Sequence, residues 1–460
     1  MLSHLHKIWE WCALHLGVAS QKSQLSHTDE QKAMAKAMKL LNLIKSRKFQ
    51  EALQDGSPTI KLLVSAATLE KAFDDFQKAQ GLVQSFEPLG VEGFHNKTVA
   101  KVLVRFEHAD LMAVIAINSK GLIGGFRLKP TKDVPSLWKH PSYADPTLFI
   151  EEDITLHANE IEVEATITLP KEGNPIGAVV FLGGSGPTDR DSSLGPNKPL
   201  KDLAWGLASR QIAVCRWDKP SAENSDKLSN DSMTLLKEYL PYSTAAIEAL
   251  RTKLASVNAA DIPFFITGHS LGAVVAPSLA ASNPSIKGII LLSAAGGKMY
   301  DSALRQVKYL SSIEHDPPFT TAELAPALAK QVAVIKSPDF NVKTASEDLP
   351  FGAPATYWLS VKEYDQVVTA AKLDIPIMVL QPGRDYQVTV EDDLEKWRVG
   401  LEKGGKNVAF KTYDALNHLL IADGGDGLAT PDAYATEGHV DEKVVLDICA
   451  WLKEHSAQHI

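Results

Sequence analysis

Cysteine is nearly absent from this chain: Cys12, Cys215 and Cys449 are three in 460 residues, far apart and without any Cys-x-x-Cys spacing. That excludes a disulfide framework and a cysteine-based zinc site, and leaves buried or idle thiols. Long apolar runs are lacking too. None approaches the roughly 20 residues that span a bilayer. The moderately apolar stretch from Ile8 to Ala19 is short and interrupted by Glu10 and His15. It reads as an amphipathic surface helix, with a cleaved signal peptide as the alternative, so the cytoplasm is the default location and secretion stays open. Basic charge is not in excess either. A formal net charge of -9 argues against nucleic acid or an anionic membrane as partner. What is present, 45% hydrophobic and 22% charged residues, suits a globular protein, and the length calls for two domains.

After an N-terminal segment (1–30), residues 31–80 are rich in Ala, Met, Leu and Lys and predict helices, with Pro58 as a break. From about 83 to 128 the pattern turns to strands. Val102, Val104 and Phe106 alternate with polar partners, Leu111 to Ile117 is apolar, and Asn118-Ser119-Lys120-Gly121 supplies a turn before Ile123 to Leu128. Helices followed by a meander make a small α+β domain over 31–130. It carries no cluster of His, Cys or carboxylates and is expected to serve packing or self-association, leaving a homo-oligomer open. Pro130, Pro135, Pro141 and Pro146 mark a linker over 131–150.

Beyond the linker, Ile161, Val163, Ala165, Ile167 and Leu169 alternate as in a half-exposed antiparallel strand. Continuous apolar runs follow at 178–182, 212–215, 264–266, 289–292, 377–380 and 408–410, separated by amphipathic helices. That is the pattern of a parallel sheet covered on both faces. Asp441 can cap a last helix whose Val444, Val445, Ile448 and Leu452 share one face. Residues 151–460 thus predict a doubly wound, mostly parallel α/β domain with an antiparallel start.

The chemistry centres on Gly268-His269-Ser270-Leu271-Gly272, which directly follows the run Phe264-Phe265-Ile266 and precedes a helical pattern. A serine there sits on a sharp strand-to-helix turn with its hydroxyl above the sheet, at a helix N-terminus that favours a developing anion. A hydroxyl is a weak nucleophile and needs a base, itself oriented by an acid. Both occur in the order this turn predicts: Asp385 in the loop after the 377–380 run, then His418 in the loop after the 408–410 run. His439 is the competing base. Asp374 lies at the wrong end of its strand, and Asp414 comes early in its loop. The oxyanion requires backbone donors. The N–H of Leu271 is one. The other is expected from Gly183-Gly184-Ser185-Gly186, on Ser185 with Gly184 as the alternative. This loop lacks the Lys-Ser/Thr pair and the spacing of nucleotide-binding loops. No cofactor and no metal are implied.

Several stretches together resemble one group of α/β-hydrolases, the serine esterases of serine-aminopeptidase-like and dienelactone-hydrolase-like type. They are Gly-Ser-Gly-Pro-Thr-Asp-Arg-Asp (184–191), Gly-Pro-Asn-Lys-Pro-Leu-Lys-Asp-Leu-Ala-Trp-Gly-Leu-Ala-Ser-Arg (195–210), Arg-Asp-Tyr-Gln-Val-Thr (384–389), Asn-His-Leu (417–419) and Gly-His-Val (438–440). Residues of about 35–130 resemble the uncharacterised, nuclear-transport-factor-like domain that often precedes such enzymes. The resemblance implies a Ser270–Asp385–His418 triad. It departs at Gly183, where a histidine is usual, at Ala273, where glycine is usual, at Pro382, and in Arg216-Trp217-Asp218-Lys219-Pro220. None of these removes a catalytic atom. More than eighty residues separate the runs at 289–292 and 377–380, far more than a crossover needs. The excess, about 296–373, is expected to form a helical cap, with Met299, Tyr300, Phe319, Phe340, Phe351, Tyr357 and Trp358 available to line a pocket. The expected activity is hydrolysis of small carboxylic esters through an acyl-enzyme. Peptidase or amidase, thioesterase and lactonase chemistry remain alternatives, and a non-catalytic binding protein is the remaining rival.

Overall fold

The computed structural model describes residues 22–23, 27–57, 65–94, 97–118, 120–130, 138–158, 161–186, 188–194, 196–223, 233–313, 321–402 and 407–457. Cys12, the apolar stretch at 8–19 and Phe319 lie outside them. The described residues fall into two compact units, one within 22–130 and the other within 138–457.

In the first unit, helices His27–Lys45 and Ala66–Gln80 accompany an antiparallel sheet. Its strands, β1 (Lys22–Ser23), β2 (Val83–Phe94), β3 (Lys97–Phe106), β4 (Asp110–Asn118) and β5 (Ile123–Pro130), lie in sequence order. Ala100, Val102, Val104 and Phe106 are buried and pack with Ala37, Leu40, Leu41 and Ile44 of the first helix. The period-2 pattern of β3 therefore meets the apolar stripe of a helix.

The second unit is built on an eight-stranded sheet. Its strands are β6 (Phe149–Ala158), β7 (Ile161–Pro170), β8 (Gly177–Leu182), β9 (Ile212–Trp217), β10 (Phe264–His269), β11 (Ile286–Leu292), β12 (Ile377–Pro382) and β13 (Val408–Tyr413). Their spatial order is β13-β12-β11-β10-β8-β9-β7-β6. Only β6–β7 and β7–β9 pair antiparallel; the remainder is parallel. Successive residues of the central strands point to opposite faces. Val179, Phe181, Val214, Phe265, Ile290 and Leu380 pack under helices Pro199–Ala208 and Glu442–Ser456. Ala178, Val180, Cys215, Ile266, Leu291 and Val379 pack under helices Leu240–Ala255 and Leu271–Ser282. Coverage on both sides is why these strands are uninterrupted apolar runs in the sequence. Asp441 caps the last helix by accepting the Lys443 N–H.

Among the described residues, four α-helices, Met299–Ser312, Thr321–Lys336, Ala355–Glu363 and Gln366–Ala371, and two short 3-10 turns fill the long connection between β11 and β12. Tyr300, Phe340 and Trp358 are buried there, and Trp358 Nε1 donates to the Pro350 carbonyl at 3.2 Å. These three side chains are packing residues. Phe351 and Tyr357 keep part of their surface accessible. At the start of the unit, Trp138 Nε1 donates to Asp202 at 2.9 Å and its ring meets Trp205 edge-on. The chain is thus already anchored at Trp138, within the proline-rich stretch. Cys215 and Cys449 are free and buried, and burial pushes their thiols up to about 12 and about 11. Among the described residues no helix is long and apolar enough to cross a membrane.

Candidate active site

β10 ends at His269, the helix Leu271–Ser282 starts two residues later, and Ser270 takes the turn between them at φ 54°, ψ −118°. A left-handed backbone costs a residue with a Cβ on the order of 1–2 kcal/mol, so the surroundings must hold it. The Ser270 N–H donates to Leu292 of β11 at 2.9 Å, and its carbonyl accepts from the N–H groups of Ala273 and Val274 at 3.0 and 3.1 Å. The two flanking glycines have different reasons. A Cβ on Gly268 would stand 2.3 Å from the Gly272 carbonyl oxygen, so the elbow could not close. A Cβ on Gly272 would stand 2.2 Å from the carbonyl oxygen of Leu182, at the end of β8. The turn is drawn tight against the strand that leads into the Gly183–Gly186 loop.

Asp385 and His418 occupy the loops after β12 and β13, both buried. His418 Nδ1 lies 2.6 Å from Asp385 Oδ2. The other carboxylate oxygen, Oδ1, accepts the N–H groups of Gln387 and Val388 at 2.8 and 3.0 Å. One oxygen is thus fixed by the backbone and the other is left for the imidazole. Arg384 ties this loop to the segment beyond His418, with Nε 2.8 Å from Asp423 Oδ1 and Nη1 2.8 Å from the Gly427 carbonyl. His418 itself sits in a tight turn. Asn417 Oδ1 accepts the Leu419 N–H at 2.9 Å, the Leu420 N–H donates to the Asn417 carbonyl at 2.8 Å, and Leu420 adopts φ 63°.

Two side chains that sequence reasoning did not assign hold His418 from behind. His269 Nε2 lies 2.9 Å from the His418 carbonyl, and Ser293 Oγ donates to the same oxygen at 3.1 Å. The His269 and His418 rings are 4.8 Å apart. His269 is the variable residue of the Gly-x-Ser-x-Gly motif, so its partner 149 positions away leaves no local signal. Burial, with the neighbouring His418 adding to it, pushes the His269 imidazole down to about 3. The His418 carbonyl can only accept, so the neutral His269 ring carries its proton on Nε2 in this contact.

The lowered value makes the contribution of His269 to stability depend on pH. An unfolded histidine takes up a proton near pH 6.5, while the folded one does so only near 3, so this contribution is complete above about pH 6.5 and declines as pH falls towards 3. One extra proton on the unfolded chain gives a slope of at most about 1.4 kcal/mol per pH unit. His269→Asn is expected to flatten the loss of stability between pH 6.5 and 4, checked by denaturant midpoints at several pH values. An unchanged pH slope would show that this histidine does not titrate on unfolding.

The remaining predicted residues fall as follows. Gly184 lies against the elbow, since a Cβ added to it would be 3.4 Å from Ser270 Cβ. Ser185 follows it, half-buried. Leu271 opens the helix, where first-turn N–H groups have no partner within the helix. His439 is engaged elsewhere. Its Nδ1 lies 3.1 Å from Asp202 Oδ1, a hydrogen bond that raises its pKa, and its ring faces Trp138. Asp414 packs against Gly383, where a Cβ would stand 2.7 Å from its Cα. The structure thus joins His418 to Asp385 and places Gly184 beside Ser270. Among the described residues no group of three or more His, Cys, Asp or Glu side chains could hold a metal ion.

The family model described as serine aminopeptidase, S33 matches residues 198–424, a range that includes Ser270, Asp385 and His418. Esterase EstD of Thermotoga maritima is 30% identical over 410 residues, which are 88% of this chain and 92% of that protein. Among solved structures, brefeldin A esterase is 15% identical at a TM-score of 0.42, covering 71% of this chain and 82% of its own. Pyrococcus horikoshii acylaminoacyl peptidase is 12% identical at a TM-score of 0.44, covering 82% and 56%. Those two likenesses are too distant to bear on activity. The near full-length match to the Thermotoga protein does decide membership: the chain belongs to the same α/β-hydrolase family of serine hydrolases.

Proposed function

We propose that the protein hydrolyses small carboxylic esters, with Ser270 as nucleophile, His418 as general base and acid, and Asp385 as the group that orients His418. The observation that carries this is the buried His418–Asp385 contact of 2.6 Å, in the two sheet-edge loops that follow β12 and β13. An Nδ1–H donated to Asp385 leaves Nε2 with a free lone pair. Nε2 takes the Ser270 proton as Oγ bonds to the acyl carbon, and the carbonyl electrons move to oxygen. The N–H groups of Leu271 and of Ser185, or of Gly184, receive that oxyanion. When the tetrahedral intermediate collapses, Nε2 returns the proton to the departing alkoxide and an alcohol leaves. Water, deprotonated by the same nitrogen, then releases the acid and restores Ser270.

Esters are the substrate class because the full-length relative is an esterase. A triad alone would serve amides, thioesters and lactones equally. The test has two parts. A fluorophosphonate is expected to label Ser270, identified by mapping the modified peptide; labelling elsewhere, or none, removes Ser270 as nucleophile. Paired p-nitrophenyl esters and p-nitroanilides of the same short acyl groups are expected to be cleaved with much higher kcat/KM for the ester. Preference for the anilide would make the protein an amidase on the same residues.

A further inference from the structure

Behind the Gly183–Gly186 loop lies a cluster of buried polar side chains that the hydrolytic scheme does not use. Tyr239, fully buried, has one hydroxyl hydrogen to share between two carbonyls: its oxygen is 3.0 Å from Gly183 O and 2.9 Å from Gly184 O. Lys219, 1% exposed, donates from Nζ to Gly184 O at 3.0 Å and pairs with Glu238 Oε1 at 2.9 Å. The ammonium also lies 4.7 Å from the centre of the Tyr239 ring. Glu238 accepts a further hydrogen bond from Ser221 Oγ at 2.9 Å. Withdrawing such a pair from water is costly and is offset only by good geometry and further hydrogen bonds to both ions. Here the atoms they meet are the two carbonyls of the loop beside Ser270.

We propose that Tyr239 and Lys219 are positioning residues for the oxyanion hole: by holding the Gly183 and Gly184 carbonyls they aim the N–H groups of Gly184 and Ser185 at the developing oxyanion. This rests on the assignment of that loop under Proposed function. The warrant is peptide geometry. In a trans peptide the C=O and the following N–H point in opposite directions, and the described residues contain no cis bond. A Gly184 carbonyl fixed towards Tyr239 and Lys219 therefore turns the Ser185 N–H away from them. A Gly183 carbonyl fixed towards Tyr239 does the same for the Gly184 N–H. Glycine at 183 and 184 would otherwise leave these peptides free to rotate, and donors that must reorient during the reaction stabilise its transition state less. The positive charge adds polarisation. A carbonyl that accepts from an ammonium makes its own peptide N–H a stronger donor.

The clamp is thus expected to act on the transition state and not on the ester before attack. Tyr239→Phe keeps the ring and removes the hydroxyl. The double variant Lys219→Met/Glu238→Gln removes the charge without stranding a buried carboxylate. Each is measured for kcat and KM on a p-nitrophenyl butyrate substrate, for the Ki of butylboronic acid, whose tetrahedral adduct on a serine mimics the oxyanion, and for the thermal midpoint. The expected result is a fall in kcat of about tenfold, less than the roughly 100-fold or more that follows direct removal of an oxyanion donor. KM should stay within about twofold, and the boronate Ki should rise in parallel with the loss of kcat. A merely structural role would lower the midpoint and leave kcat per folded molecule and the boronate Ki unchanged, and that outcome in both variants overturns the clamp. If the unaltered protein hydrolyses the ester and binds boronate while neither variant shows the loss, the clamp alone is wrong. If the unaltered protein does neither, the triad assignment fails and takes the clamp with it.

Discussion

Replacing Ser270 with alanine is expected to lower kcat/KM for a short-chain aryl ester by about 10⁴-fold or more, because the attacking atom is gone and only binding and oxyanion stabilisation remain. The fold should survive. Ser270 is held by backbone hydrogen bonds to Leu292, Ala273 and Val274, and none of these needs its hydroxyl. Alanine inherits the φ of 54° and its cost. Glycine does not, so Ser270→Gly is expected to be more stable than Ser270→Ala by about 1 kcal/mol while being equally inactive. Ester hydrolysis and denaturant midpoints measured on the same three proteins give both numbers. Activity persisting in the alanine variant would place the nucleophile elsewhere. A glycine variant no more stable than alanine would mean that the elbow stores no strain. The pair separates what Ser270 does chemically from what its position costs.

Much of the layout of this candidate site was legible in the sequence because its parts are local. A buried strand, an elbow flanked by glycines and a helix are contiguous over 264–282, and each leaves a pattern of spacing. Asp385 and His418 are legible for a related reason: each follows a short apolar run, and the carboxyl ends of parallel strands share one edge of the sheet. What the sequence hides is whatever depends on contacts between distant segments. Strand β6 is an example. Along Phe149–Ala158 only Phe149 and Leu156 are buried, so as an outer strand it lacks the alternation that marks β7. The partners behind His418 and the Gly183–Gly186 loop are hidden more thoroughly. His269 meets His418 across 149 residues and Tyr239 meets Gly184 across 55, with no periodicity to connect them. Buried polar side chains such as these are informative only once their hydrogen-bond partners are known, because burial without a partner would be costly. The order of the strands is likewise a long-range property. Apolar runs predict a doubly wound sheet but do not say that β8 lies between β10 and β9, the placement that brings the Gly183–Gly186 loop to the elbow.

Asp385→Asn is the second substitution expected to have a large effect, and its logic differs from that of Ser270. Asparagine has the shape of aspartate, and its carbonyl oxygen can go on accepting the Gln387 and Val388 N–H groups that Oδ1 accepts now. The amide nitrogen then replaces Oδ2 at 2.6 Å from His418 Nδ1 and presents hydrogens where a lone pair stood. Nδ1 must become the acceptor, so the imidazole proton moves to Nε2. In that tautomer Nε2 has no lone pair with which to take the Ser270 proton. The loop should stand unchanged while kcat falls by about 10³–10⁴-fold with KM little altered. The rate of fluorophosphonate labelling should fall in parallel, since that reaction needs the same base. Asp385→Ala is the control. It removes the carboxylate and also frees two buried backbone N–H groups, each worth about 1–3 kcal/mol when left unsatisfied, so it should lose stability as well as rate. If Asp385→Asn keeps a tenth or more of the activity, Asp385 does not set the tautomer of the base, and the buried pair with His418 serves only to close the loop.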